Sequence, residues 1–300
     1  VTSVSSLSVP EGLQAVAPSA PPPRSRVLRR LLRHRLAMFS ALLLLCIVVA
    51  CMVGPFFGSF DANRIDLAAR DLAPNWRHWM GTDELGRDQF ARVMIGGRLS
   101  LSAGLATMAL TMGMGVAVGA IAGYVGGWVD SALMRTVDAF YSVPGLFVLI
   151  VVVAMVGVSF WSIVATLALL NWMGTARLIR ASVQTLRRQE FIEAAHVLGA
   201  SHWRVVVRHL IPNVLGAILV SATLNVAVAI LAESTLSFLG LGFQPPDATW
   251  GRMLQEAQIP VIREGQWWRG FFPGMMIFLT VLCVNFLGDG LRDAFDPRAR

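Results

Sequence analysis

The chain has 300 residues, 55% of them hydrophobic and 14% charged, whereas soluble domains average about 45–50% apolar and about 25% charged. That balance, with a mean hydropathy of +0.63, excludes a water-soluble globule and a disordered chain and points to a polytopic membrane protein. The net charge is +7 and all 25 cations are arginine, so no Walker A, Schiff-base or kinase-type lysine chemistry can reside here.

Residues 1–23 are rich in Ser, Pro and Ala with one charge, Glu11, and read as a disordered tail. Arg24, Arg26, Arg29, Arg30, Arg33 and Arg35 follow, then the apolar run 36–57. Its 22 residues are too many for a signal-peptide core, and no A-x-A cleavage site follows, so it reads as an uncleaved first span. Residues 58–98 form an outer loop whose acids, Asp61, Asp66, Asp71, Asp83, Glu84 and Asp88, nearly balance its arginines; it is expected to fold. Five further spans are expected at 99–125, 139–158, 160–176, 214–232 and 271–288. The fourth is the weakest, at 17 residues and interrupted by Asn171, and Pro144 should kink the third.

With the amino terminus inside, 16 arginines fall on the cytoplasmic side and 9 outside, which obeys the positive-inside rule and places both termini in the cytoplasm. The second span carries Gly115, Gly119, Gly123 and Gly127, four apart. That stripe reads as a helix-packing seam, with a flexible gate as the lesser alternative.

Cys46, Cys51 and Cys283 sit in apolar runs without a C-x-x-C, and the five histidines are scattered. Neither set suggests a metal or redox site, and no cofactor or nucleic-acid partner is expected. Asp83 and Asp88 flank turn residues in G-T-D-E-L-G-R-D and read as part of a structured outer turn rather than a catalytic pair. Asp83, Arg87, Asp88 and Glu233 are candidates for a solute path or an outer docking surface. Glu233 ends an apolar run, where an acid marks either a pathway or a solvated helix end.

Residues 175–213 differ from the rest, being amphipathic rather than apolar. Helical spacing runs through Phe191, Ala194, Ala195 and Leu198. Gly199 can take a positive φ and end that helix, Ser201 suits an N-cap, and Pro212 leads the second short helix out into the fifth span. The expected product is a helix–turn–helix elbow between spans four and five, with an ordinary amphipathic loop as the alternative.

E-A-A-x-x-x-G at 193–199, with Pro212 thirteen residues beyond Gly199, resembles the EAA signature of ABC-importer permeases. His209 and Ile211 stand where the general consensus has Ile and Leu, and Arg208–Asn213 fits the peptide-importer form R-H-x-x-P-N. Three more stretches resemble the C-type permease of dipeptide and oligopeptide importers: H-W-M-G-T-D-E-L-G-R-D-Q-F-A-R at 78–92, L-A-E-S-T-L-S-F-L-G-L-G-F-Q-P-P-D-A-T-W-G at 231–251, and G-D-G-L-R-D-A-F-D-P-R at 288–298. Ala91 departs from the serine frequent there. The likeness covers about residues 26–300.

The resemblance implies an all-α, six-span permease of the type I importer kind in a bacterial inner membrane. In it Glu193, Ala194, Ala195, Gly199, Trp203, Arg204 and Pro212 would couple to separate ATPase subunits. It further implies a second permease subunit, two ATPase domains, an external substrate-binding protein, and no catalytic residues in this chain. Nickel, glutathione or haem are alternative cargoes. An ion-coupled secondary transporter fits less well, since Asp138, Asp289 and Glu233 lie near span ends rather than mid-membrane. A bare channel leaves the elbow unexplained.

Overall fold

The computed structural model describes residues 24–54 and 62–295. The expected tail 1–23, the end of the first span and the start of the outer loop, and residues 296–300 lie outside the described residues. A short basic helix, α1 (Arg24–Arg33), is followed after one residue by α2 (Arg35–Val53). His34 makes the corner between them, its Nδ1 accepting the Ala37 N–H at 3.1 Å. The 19 residues of α2 rise about 28 Å, close to the hydrocarbon depth of a bilayer.

Helix α3 (Gln89–Val125) starts well before the expected 99, because Asp88 caps it: Asp88 Oδ1 accepts the Ala91 N–H at 2.9 Å. Its 37 residues rise about 55 Å, so one end must stand clear of the membrane.

The expected third span, 139–158, is two elements instead. Helix α4 (Gly127–Tyr141) ends before Pro144, and α5 (Gly145–Val156) begins after it. Pro144 therefore breaks the helix rather than kinking it. It lacks the N–H that would continue the ladder and sits at φ −63°, ψ 118° as the N-cap of α5. The 12 residues of α5 rise only about 18 Å. Among the described residues, five helices are long and apolar enough to cross a membrane, and α5 is a shorter apolar helix beside them.

Helix α6 (Phe160–Arg187) runs beyond the expected 160–176. Ser159 starts it with a reciprocal capping box to Ser162, and Asn171 spends its amide inside the helix, donating to Leu167 O at 2.7 Å. Helices α7 (Glu190–Val197) and α8 (His202–Val205) form the elbow, and α9 (Ile211–Phe238), α10 (Trp250–Glu264) and α11 (Trp267–Phe295) complete the chain. Helix α10 was not expected. Thr249 caps it, accepting the Arg252 N–H at 3.2 Å, and its Trp250 is fully buried with Nε1 donating to Val93 O at 2.9 Å.

Helices α3 and α6 form the central pair. A Cβ on Gly115 would lie 2.6 Å from Thr175 Cβ, on Gly119 2.5 Å from Ala176 O, and on Gly123 2.8 Å from Arg180 O. Only glycine lets these backbones meet so closely. Gly127 is not part of this seam. Helix α3 ends at Val125, and a Cβ on Gly127 would meet nothing within 4 Å.

Candidate functional site

The elbow grows directly out of the α6 carboxyl end. Helix α7 stops in a Schellman turn: Gly199 N–H donates to His196 O at 2.9 Å and Ala200 N–H to Ala195 O at 3.0 Å, with Gly199 at φ 78°. Ser201 then accepts the Arg204 N–H at 3.4 Å to start α8, so both expected punctuation residues act as read. The way out differs from expectation. Helix α8 does not end at Pro212 but passes through a π turn, Val206–Leu210, into α9. Ile211 N–H reaches back to Val206 O, five residues away, and Asn213 Nδ2 donates to His209 O at 2.5 Å. The wider turn accommodates the proline without breaking the helix.

The buried face of α7 also differs from the spacing. Ile192 and Ala195 pack inward with Val205, Leu210, Ile179 and Val183, whereas Phe191, Ala194 and Leu198 face out. Val197 and Leu198 are 87% and 86% exposed and Trp203 76%. Glu193, Arg204 and Pro212 are exposed as well, leaving Ala195 as the one buried member of the expected coupling set.

Tyr124 near the end of α3 holds the elbow from the side, its Oη 2.6 Å from His202 Nδ1 and 3.5 Å from His196 Nε2. Beside it a cleft of about 480 Å³ is lined by Gly126, Asp130, Gln184, Arg187, Arg188 and Glu193. Asp130 joins α4 to α6 through a bidentate pair with Arg180, Nη2 to Oδ2 at 2.6 Å, and accepts from Gln184 Nε2 at 3.1 Å. The Arg180 hydrogen bonds hold its carboxyl below the usual range, against the opposing pull of burial.

The acids and arginines just before α3 form a clamp. Asp83 is 1% exposed and accepts the Leu85 and Arg87 N–H groups, each at 2.9 Å, Arg87 Nε at 2.7 Å and Arg92 Nη1 at 2.5 Å. Burial alone would push its carboxyl up. The Arg92 and Arg87 charges and the two N–H donors outweigh it and hold the group low. Arg92 also donates to Glu256 on α10 at 2.8 Å, and Asp88 bonds His78 Nδ1 at 2.8 Å. Arg269, 3% exposed, lies 3.5 Å from Asp71 and 3.3 Å from Glu84, so the loop before α3 is folded onto α10 and α11. Asp83 and Asp88 thus serve separate partners.

Glu233 is neither solvated nor at a helix end. It is fully buried, since α9 continues to Phe238 and α10 covers it. Ser237 Oγ and Ser100 Oγ donate to its two oxygens at 2.8 and 3.1 Å, and Ser100 Oγ accepts the Trp250 N–H at 3.2 Å.

The family model described as the binding-protein-dependent transport system inner membrane component matches residues 115–300. The chain belongs to that family. A second model, the N-terminal membrane domain of oligopeptide transport permease C, matches residues 23–74. This permease is 43% identical over 282 residues to a protein named as a peptide permease of Brucella suis, covering 94% of this chain and 93% of that one. It is 42% identical to the dipeptide transport system permease protein DppC of Bacillus subtilis, over 91% and 85% of the two chains. The glutathione transport system permease protein GsiD of Shigella flexneri is 40% identical, over 91% and 89%. The permease is thus a multi-pass membrane subunit of an ABC importer. Its elbow set gathers at one end of the α3–α6 pair, while Asp83, Arg87 and Asp88 gather in the clamp before α3 and Glu233 is enclosed between α3, α9 and α10. Sequence reading missed Tyr124, Asp130, Arg269 and Glu256, each of which also has a partner far off in the chain. The T-W-G at 249–251, a capping residue before an aromatic, was the one local signal for α10.

Proposed function

We propose that this chain is the C-type permease subunit of an ABC importer for short peptides. It forms half of the pathway with a second permease and has both termini in the cytoplasm. ATP is hydrolysed on partner ATPase subunits, and an external binding protein delivers the cargo to the outer side. The observation that carries the reading is the elbow: Ile192 and Ala195 anchor α7, while Val197, Leu198 and Trp203 of α8 stay uncovered. An apolar tip on a rigid base suits a groove on a partner, and the flanking Glu193 and Arg204 would set its orientation. Opening and closing of the ATPase pair would move this tip, and the continuous helices α6 and α9 would carry the motion into the membrane. Glutathione, a small peptide itself, is a second cargo reading, supported by the 40% identity to a glutathione permease.

The test is co-purification of the ATPase subunits with the membrane-inserted chain. A Leu198→Asp/Trp203→Asp variant should insert normally and lose the ATPases. Full retention of the ATPases would remove the elbow from the interface.

A further inference from the structure

Helix α1 has more apolar face than the protein covers. At about 100° per residue, Val27, Leu31, Leu28 and Leu32 share one arc of about 140°. One edge of that arc packs on the protein. Val27 is buried, and Leu31 Cδ1 lies 3.4 Å from where a Cβ on Gly290 of α11 would stand. Leu28 and Leu32 on the other edge are 58% and 56% exposed. Next to them around the helix come Arg29 and Arg33, four residues apart and both exposed. The corner into the first span is held by His34, whose Nε2 lies 3.5 Å from Asp293 of α11. Helix α1 is therefore fixed against the bundle at the point where α2 enters the membrane, with leucines and arginines side by side on its free surface.

We infer that this free face of α1 is a binding surface for anionic phospholipid. The lipid phosphodiester sits between Arg29 and Arg33, and its acyl chains lie over Leu28 and Leu32. Guanidinium groups match a phosphate through paired N–H donors, and a basic amphipathic helix beside a span attracts acidic headgroups. Charge complementarity selects this occupant. Residues 24–35 hold six arginines and no acid of their own, and the neighbouring Asp293 of α11 is engaged by His34. The chain's own preceding residues 1–23 offer a single acid, Glu11, so they cannot neutralise the helix. The cytoplasmic leaflet as the source of the lipid rests on the orientation proposed above; the lipid surface itself does not.

The experiment uses the full chain, purified in neutral detergent and offered phosphatidylglycerol or phosphatidylcholine, with bound lipid counted by native mass spectrometry. Wild type should retain phosphatidylglycerol preferentially, and less of it as salt rises. Arg29→Gln/Arg33→Gln should weaken that retention by about thirtyfold, the effect of two arginines near an anionic surface. Leu28→Ser/Leu32→Ser should weaken it for both lipids. Arg64→Gln/Arg70→Gln, exposed arginines of the outer loop, should leave it unchanged. Equal retention of the two lipids by wild type, or undiminished phosphatidylglycerol in the Arg29/Arg33 variant, would overturn the inference. So would a preference that emerges only after deletion of residues 1–23, because the tail would then be the natural occupant. Labelling Arg35→Cys from each side of sealed vesicles separates the two claims. Outside labelling with the lipid preference intact supports the surface and retires only the leaflet; inside labelling with no preference retires the surface alone.

Discussion

Gly199 holds the elbow in a conformation that other residues adopt at a cost. At φ 78° a side chain costs on the order of 1 kcal/mol, yet a Cβ there would meet nothing within 4 Å. Gly199→Ala should therefore leave packing untouched and loosen only the turn. Hydrogen exchange of the Ala200 amide, bonded to Ala195 O at 3.0 Å, should rise by about fivefold, the equivalent of that cost; an unchanged rate would mean that the turn bears no strain. Asp83 gives a pH prediction. Its folded carboxyl is held low, so the unfolded loop binds its proton more tightly than the folded one. The clamp's contribution is then complete above about pH 4, the ordinary carboxylate value, and is lost as pH falls below it through the folded value. Proteolysis of the outer loop should accelerate only in that acid window, and Asp83→Asn should make it fast at neutral pH as well. Acid sensitivity identical in the variant would show that another group controls the loop.

At the scale of elements, the glycine stripe was legible because spacing by four is a property of one helix, and three of its members form the α3–α6 seam. Gly119→Leu should drive these helices apart, since its Cβ alone would sit 2.5 Å from Ala176 O. The measurement is thermal stability in detergent, with a large loss expected. A Gly113→Leu control on the same helix should cost far less, because a Cβ there would meet nothing within 4 Å. The elbow's caps were legible for the same local reason: Gly199 and Ser201 act on backbone within a few residues. What sequence misjudged depends on tertiary cover. Phe191 and Leu198 obey helical spacing, but the bundle lies on the side of Ile192 instead. Glu233 looked like a helix end until α10, with its buried Trp250, closed over it. Pro144 gave a correct warning of irregularity without saying whether the helix would bend or stop.

For the whole molecule, the arginine distribution predicts which face is which. In a background where Cys46, Cys51 and Cys283 are replaced by Ala, a cysteine at Trp76 or Asp247 should label from outside. One at Val197, 87% exposed on the elbow, should label only from inside. External labelling at Val197 would reverse the orientation. The central claim is that the elbow transmits ATP-driven motion to the pathway. Its most direct test is ATP-driven dipeptide uptake into proteoliposomes that contain the chain, its partner permease, its ATPase subunits and its binding protein, measured for Gly199→Asp and Glu193→Arg. Both positions are exposed and outside the buried core, so insertion should survive. The account predicts that uptake is lost in both, through weakened ATPase association or ATP hydrolysis that no longer drives transport. Uptake at the wild-type rate in both variants would contradict it.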